Sequence, residues 1–269
     1  MPQVFINDMN DERLAPYRHL KLRNATRWSS SFIVEGDKLV ERLLASNCDV
    51  ESVLLDEGQL KRAPNLPSRI PVYVIPTGAA AEIVGFNFHR GALACGIRPA
   101  NIKLSDLVGS KPNSTLVVCP NVQNPENLGS IIRTSLALGM DGLLLGGECA
   151  DPLSRRVLRV SMGGSFALRT RISANLAEDL AALRRDFQIE HWAGALTADA
   201  TSLTELHTRP QRLAIWFGGE GHGIPPELLP LAQQNIIIPM SSRVDSLNVS
   251  VAAGIVLHAI LQLPYISVR

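Results

Sequence analysis

The chain has 269 residues, of which 46% are hydrophobic and 19% are charged, and its formal net charge is +1. This balance is typical of a soluble globular protein of one or two domains, and it excludes a disordered or polybasic chain. Residues 1–13 contain no apolar signal-peptide core, and no stretch is long and apolar enough to span a bilayer. We therefore expect a cytoplasmic protein with no membrane partner.

The four cysteines are scattered along the chain, with no C-x-x-C pair and no histidine at the spacing of a metal ligand. This pattern predicts reduced thiols, buried for the most part, and it gives no support for a disulfide framework. We expect no metal site.

The first hundred residues are predicted to form a small α/β unit, with short strands at 53–55, 72–75 and 91–97 and a strand that turns into a helix over 32–44. A basic segment precedes that helix, because no acidic residue occurs between Glu12 and Glu35. Its candidate phosphate contacts are Arg13, Arg18, Lys21, Arg23 and Arg27. A solvated helix face is the alternative for these charges, and Tyr17 and Trp28 either stack on an unpaired base or belong to the core.

A polar segment rich in turn-forming residues, 100–114, is predicted to be a linker. Strands are then predicted at 116–119, 142–145, 166–168, 190–195, 213–217 and 236–238, and helices at 128–139, 152–162, 176–187, 226–233 and 249–263. Such alternation predicts a mostly parallel sheet covered by helices on both faces. Ligands of these sheets bind beyond the carboxyl ends of the strands, so the loops after the strands are the candidate sites.

The first of these loops follows Cys119 and reads N-V-Q-N-P-E-N-L-G-S-I-I-R. Asn127 is predicted to cap the helix that follows. Arg133 lies off the apolar stripe of that helix, and its side chain is long enough to reach back over the strand ends. A plain surface arginine is the alternative.

The second loop follows Phe217 and reads G-G-E-G-H-G. Four glycines surround one carboxylate, Glu220, so the backbone can turn sharply and lie flat against a ligand. The spacing matches neither the dinucleotide-binding fingerprint nor a P-loop. We interpret His222 as an ordinary loop residue.

The third loop joins the apolar run 236–238 to the last helix. Ser246 is predicted to be the N-cap, with Asn248 in the first turn, where side-chain polar groups lie beside unpaired backbone N–H groups. The helix is apolar on nearly every face, so we expect other elements or a second subunit to cover it. An ordinary capped core helix is the alternative.

Three segments, N-x-G-x-x-x-R, G-G-E-G-x-G, and I-P-M followed by S-L-N-V-S-V-A, resemble in order and spacing the three motifs of the SpoU (TrmH-like) RNA ribose 2′-O-methyltransferases of the SPOUT superfamily. The resemblance covers about residues 115–263. The first hundred residues also resemble the L30e-like substrate-binding domain of that family, through F-I-V-E-G-D-K-L-V-E-R-L-L and R-G-A-L-A.

The resemblance implies an α/β-knot domain with a deep trefoil knot, which is an exception to the usual absence of knots in proteins. It implies S-adenosylmethionine as methyl donor, a ribose 2′-hydroxyl of structured rRNA or tRNA as acceptor, no metal, and a homodimer whose active site is completed across the interface. The implied domains are an RNA-binding domain at 1–99, a linker at 100–114 and a methyltransferase domain at 115–269. A non-catalytic RNA-binding or ribosome-assembly factor that keeps the knot is the alternative.

The resemblance also assigns residues to roles. The implied catalytic residues are Arg133, Asn127, Glu220, Ser246 and Asn248, and the implied donor-binding residues are Leu196, Gly218, Gly219, Gly221, Ile238, Met240 and Leu247. Because a guanidinium group stays protonated in proteins, we expect Arg133 to hold an RNA phosphate and to stabilise the developing alkoxide rather than to act as a base.

Overall fold

The computed structural model describes residues 3–18, 20, 29–62, 67–84 and 91–266. The strands are β1 (Gln3–Phe5), β2 (Ser31–Glu35), β3 (Val50–Asp56), β4 (Val72–Ile75), β5 (Leu93–Ile97), β6 (Ser114–Cys119), β7 (Gly142–Leu145), β8 (Thr170–Ile172), β9 (Glu190–Gly194), β10 (Thr201–Ser202), β11 (Arg212–Phe217) and β12 (Gln234–Ile237). The α-helices are α1 (Asp37–Leu44), α2 (Ala80–Val84), α3 (Leu104–Val108), α4 (Pro125–Ala137), α5 (Arg155–Val160), α6 (Leu176–Phe187) and α7 (Val249–Leu261).

The chain divides into two compact units, and the first contains Met1–Ala100 together with Asp151–Phe166. Its five-stranded sheet has the order β1-β4-β3-β5-β2, with β5 antiparallel to both neighbours. Alternate residues of β2 enter separate cores, because Phe32 and Val34 lie in one cluster and Ile33 lies in another. Both faces of this sheet are therefore covered.

The predicted domain ranges differ from these units at residues 151–166. Leu158 of α5 packs in the cluster that contains Phe32 and Val34, and Arg155 and Arg159 both form ion pairs with Glu35, at 3.3 and 2.7 Å. These contacts place α5 in the first unit, although the sequence around it was predicted to belong to the second domain.

The second unit contains Asn101–Ala150 and Ala167–Arg269. Its seven strands have the order β10-β12-β9-β11-β6-β7-β8, and all of their pairings are parallel. The residues of β6 and β7 are buried throughout, as expected for strands with helices on both faces. Helix α6 packs on one face, where Leu180 and Leu183 join the cluster around Trp216, while α7 contacts α4 and β11.

The structure differs from the sequence predictions at three places between residues 100 and 233. The helix predicted at 226–233 is only a 3₁₀ turn at Leu229–Leu231, because Pro225, Pro226 and Pro230 remove the backbone donors that an α-helix needs. The strand predicted at 166–168 lies later, as β8, and the predicted linker contains α3, which packs against β7, β8 and α6.

A buried histidine of β9 is held in its neutral form. His191 is 1% exposed, and the indole N–H of Trp216 donates to its Nδ1 atom at 3.2 Å. Since the indole nitrogen is only a donor, the imidazole proton must lie on Nε2, which is 3.1 Å from the carbonyl oxygen of Leu180. Burial lowers the pKa of His191 to about 4.

We expect this histidine to make the protein less stable in acid. Between a pH of about 6.5, the usual pKa of an unfolded histidine, and about 4, the unfolded chain binds a proton that the folded chain does not. The free energy of unfolding therefore falls as the pH decreases through this window, by up to about 3 kcal/mol from His191 alone. Urea unfolding at several pH values should show that the free energy of unfolding depends less steeply on pH in His191→Gln than in His207→Gln. The second variant is the control, because His207 is exposed. Equal slopes for the two variants would contradict this assignment.

Candidate functional site

The loops after β6 and β11 meet at the centre of the parallel sheet. From β6, the chain continues to β7 on one side, while β11 pairs with β6 on the other, so the direction of strand order changes here. Such a switch point leaves a crevice between the two loops, which is where ligands of open α/β sheets bind. The backbone N–H of Gly219 donates to Oδ1 of Asn121 at 2.7 Å, and this bond ties the two loops together.

Each glycine of the loop after β11 is required by its backbone or by its neighbours. Gly221 and Gly223 have φ angles of +79° and +64°, a left-handed conformation that favours glycine. A Cβ atom on Gly218 would collide with the backbone of Gly223, and one on Gly219 would collide with the carbonyl oxygen of Asn121. The glycines thus allow the loop to fold back on itself and to touch the loop after β6.

Beside this loop lies a cavity of about 670 Å³, which we call the glycine-loop cavity. Residues following β9, β11 and β12 line it, together with the first turn of α7. Its volume lies within the range of small-molecule sites. All seven residues that the resemblance assigns to the methyl donor line this one cavity: Leu196, Gly218, Gly219, Gly221, Ile238, Met240 and Leu247. Glu220, Ser246 and Asn248 also line it, as does His222, which we interpreted from the sequence as an ordinary loop residue.

Both predicted helix caps were wrong by a few residues. Asn124, not Asn127, caps α4 by accepting from the N–H of Glu126, because Pro125 then occupies the first helical position that proline favours. Asn248, not Ser246, caps α7 and accepts from the N–H of Ser250 at 2.9 Å.

The two asparagines Asn127 and Asn248 are joined by a hydrogen bond. Nδ2 of Asn248 donates to Oδ1 of Asn127 at 3.0 Å, so α4 fixes the side chain that caps α7 and lines the cavity. Asn127 is only 5% exposed, and its Nδ2 atom has no hydrogen-bond partner among the described residues. A buried unpaired amide costs free energy, so this donor is a candidate for contact with a ligand or water.

Arg133 lies apart from the other candidate catalytic residues. It is exposed on α4, and it is not among the described residues that line the glycine-loop cavity. The structure therefore brings together Glu220, Ser246 and Asn248, and Asn127 through Asn248, but it does not bring Arg133 to them within one chain.

Two of the candidate phosphate contacts, Arg13 and Arg18, lie within the described residues and make local contacts. The guanidinium of Arg13 hydrogen-bonds the Asp11 carboxylate at 2.6 Å, which holds the pKa of Asp11 at about 2. Arg18 donates to the backbone carbonyl oxygens of Met9 and Asp11, at 3.0 and 2.6 Å. The remaining candidates for RNA contact, Lys21, Arg23, Arg27 and Trp28, lie outside the described residues.

Tyr17 is a core residue rather than a stacking platform. Its ring is fully buried, and its hydroxyl lies 2.8 Å from Oγ of Ser52. Burial raises the pKa of Tyr17 well above its ordinary value.

In the parts of the chain that the structure describes, no group of three or more His, Cys, Asp or Glu residues is arranged to hold a metal ion. No helix in those parts combines the length and the apolar character needed to cross a bilayer. The cysteines are free thiols, of which Cys95, Cys119 and Cys149 are buried.

Comparison with known proteins matches residues 114–258 to the sequence model described as the SpoU rRNA Methylase family. An uncharacterized tRNA/rRNA methyltransferase of Mycobacterium tuberculosis is 30% identical over 260 residues, which cover 93% of this chain and 89% of that protein. A 23S rRNA guanosine 2′-O-methyltransferase of Bacillus subtilis is 25% identical over 253 residues, covering 94% of this chain and 97% of the relative. The AdoMet-bound rRNA methyltransferase of Sinorhizobium meliloti has a similar structure, with a TM-score of 0.82 at 25% identity and coverage of 96% and 97%.

Proposed function

The chain belongs to the SpoU rRNA methylase family, and on that premise we propose that the glycine-loop cavity binds S-adenosylmethionine and that the acceptor is a ribose 2′-hydroxyl of structured rRNA or tRNA. The protein is an S-adenosylmethionine-dependent RNA methyltransferase. The observation that carries the assignment of the site is the convergence of all seven implied donor residues on one cavity.

The chemistry of the cavity fits this donor. Among the described residues that line the cavity, Glu220 is the only one of the types Asp, Glu, Lys and Arg. Its negative charge makes the cavity favour a cationic ligand over an anionic one. Leu196 is 62% exposed at the cavity, and its side chain offers apolar surface to an adenine ring. Backbone groups of the glycine loop supply donors and acceptors without further charge.

S-adenosylmethionine supplies an electrophilic methyl group when it is bound. The residues of the chain then have to orient the ribose hydroxyl and accept its proton. We assign the proton acceptor to Glu220, which is exposed beside the cavity. Asn248, fixed by Asn127 and Ser250, orients groups at the first turn of α7. Arg133 holds a neighbouring RNA phosphate and stabilises the negative charge that develops on the 2′ oxygen.

Arg133 does not line the glycine-loop cavity of its own chain. In a homodimer, it would reach the glycine-loop cavity of the partner subunit. Val251 and Ile255, which we call the α7 stripe, are 51% and 41% exposed on one side of α7, and Leu136 is exposed on α4 beside it. Large aliphatic side chains at such neighbouring positions are typical of a subunit interface. We propose that a second copy covers the α7 stripe and that Arg133 acts in the cavity of the partner subunit.

Three further assignments follow from family membership. We propose that the segment from β12 through α7 forms the trefoil knot, and that the first unit has the L30e-like fold and binds the RNA substrate. Arg13, Arg18, Lys21, Arg23 and Arg27 are its proposed phosphate contacts, of which Arg13 has a half-exposed side chain.

The donor site is tested by placing a positive charge on its apolar wall. We expect Leu196→Lys to weaken S-adenosylmethionine binding at least about tenfold in calorimetric titration, because the new side chain replaces apolar contact area with a cation that repels the cationic donor. The stability should hardly change, since Leu196 is exposed. A substitution at Gly219 would be a poorer test, because any side chain there collides with the loop after β6.

Ile97→Lys is the matched control, because it changes an exposed aliphatic residue of the first unit in the same way and should leave donor binding unaltered. Failure of the unaltered protein to bind S-adenosylmethionine would refute the donor site and would favour a non-catalytic RNA-binding factor.

A further inference from the structure

A second, smaller cavity lies against the glycine-loop cavity. It has a volume of about 140 Å³, and we call it the amide pocket. Its walls are Asn121, Val122, Gln123 and Asn124 from the loop after β6, and Glu220 and His222 from the loop after β11. Glu220 and His222 also line the glycine-loop cavity, so the two cavities adjoin at these residues.

The orientation of two amide groups in this pocket is set by chemistry. Oδ1 of Asn121 accepts from the N–H of Gly219, and Oδ1 of Asn124 accepts from the N–H of Glu126 at 2.8 Å. Because backbone N–H groups only donate, the oxygen of each side-chain amide must face them, and the amino group must point the other way. Within the described residues neither amino group has a hydrogen-bond partner, so each remains available as a donor.

The pocket also contains acceptors. Glu220 contributes carboxylate oxygens. Nε2 of Gln123 donates to the Glu148 carboxylate at 3.4 Å, which leaves its Oε1 atom as an acceptor. The amide pocket is therefore lined both by amide donors, from Asn121 and Asn124, and by oxygen acceptors from the two loops.

This set of groups disfavours a phosphate and favours a nucleobase. No lysine or arginine is among the described residues that line the pocket, and its one carboxylate would repel a phosphate. The edge of a base presents donors and acceptors side by side, and side-chain amides match such edges. The volume of about 140 Å³ leaves room for a base but not for a whole nucleotide with its ribose and phosphate.

We propose that the amide pocket receives the base of the acceptor nucleotide, and that Asn121 and Asn124 select this base by donating hydrogen bonds to its edge. The inference rests on the proposed function, because it places the 2′-hydroxyl near Glu220, where the two cavities adjoin. The base is attached to the ribose carbon next to the one that bears this hydroxyl, so a base in the amide pocket is consistent with a hydroxyl at the glycine-loop cavity.

The acceptor base is identified first. Total RNA from a strain that lacks the gene is incubated with the protein and radiolabelled S-adenosylmethionine, and digestion then shows which of the four 2′-O-methylnucleosides is labelled. Once the position has been mapped, four short RNAs that differ only in the base at this position are compared by kcat/KM. We expect the protein to prefer one base by at least about tenfold.

Asn121→Asp and Asn124→Asp test the selection itself. Each variant keeps the oxygen that accepts from Gly219 or Glu126 but replaces the amino donor by a second oxygen. We expect the preference for the original base to fall at least about fivefold in each, while the dissociation constant of S-adenosylmethionine changes by less than about twofold. Asn175→Asp is the control: Asn175 caps α6 through its oxygen but lies outside the amide pocket, and this change should leave the base preference unaltered.

Equal use of all four bases by the unaltered protein would overturn the inference, and so would an unchanged preference in both pocket variants. If the protein binds S-adenosylmethionine but labels no RNA, the proposed activity fails and the inference fails with it. If one nucleoside is labelled but both pocket variants keep the original base preference, the inference is refuted and the proposed activity stands.

Discussion

Replacing Arg133 with alanine is expected to lower the rate of methyl transfer to RNA at least about 100-fold, while the dissociation constant of S-adenosylmethionine changes by less than about twofold. Arg133 is exposed on α4 and lies outside the cavity that we assign to the donor, so its loss removes no donor contact. It does remove the cation that stabilises negative charge on the attacking oxygen. Single-turnover transfer and calorimetric titration of the donor measure the two effects separately.

Two other variants sharpen this test. Arg133→Lys keeps the charge but loses the planar fork that grips a phosphate, so we expect intermediate activity. Arg185→Ala removes an exposed arginine of α6, whose ion pair among the described residues is with the neighbouring Asp186, and it should leave transfer unchanged. A parallel loss of donor binding and transfer in Arg133→Ala would show that Arg133 serves the donor site instead.

Two defective variants are expected to restore activity when they share a dimer, in an assay whose donor concentration saturates the unaltered cavity but not that of the Leu196 variant. In a mixed dimer of Arg133→Ala and Leu196→Lys, one cavity has an intact wall and receives Arg133 from the partner subunit. Random exchange of subunits makes half of the dimers mixed, each with one intact site of two, so we expect about a quarter of the unaltered activity. Mixing after reversible unfolding, followed by single-turnover transfer, measures this fraction.

The restoration depends on the α7 stripe. The double variant Val251→Asp, Ile255→Asp places two charges on this exposed apolar surface. We expect it to be a monomer in analytical ultracentrifugation and to show no restored activity. If Arg133 acts within its own chain, both kinds of subunit in the mixed dimer are defective, and no activity returns. That outcome would contradict the shared site even if the protein is a dimer.

The sequence was sufficient to predict those elements whose hydrophobic pattern and capping residues indicate the same structure. The helix predicted at 176–187 coincides with α6, because Asn175 caps it and acidic residues occupy its first turn. The parallel sheet could be predicted from alternating strands and helices. The prediction of a helix at 226–233 was wrong, because it rested on the apolar residues of this segment and neglected the prolines that interrupt it.

The contacts that build the site could not be predicted, because they join distant segments. The bond between Asn121 and Gly219 links residues 98 positions apart, and that between Asn127 and Asn248 links residues 121 positions apart. Both pairs come together only when the order of the strands is known. For the same reason no role could be predicted for His222, whereas the structure places it at both cavities.

The interleaving of the two units affects how the protein is made on the ribosome. The first unit contains Asp151–Phe166, so its core lacks Leu158 when residue 100 has been synthesised. The missing segment is complete only at Phe166, some 66 residues later, which takes about 3–13 s at usual rates of translation. During this interval the nascent chain exposes part of an unfinished apolar core. A fragment that ends at residue 100 would keep this defect permanently, so no single cut in the chain yields both units intact.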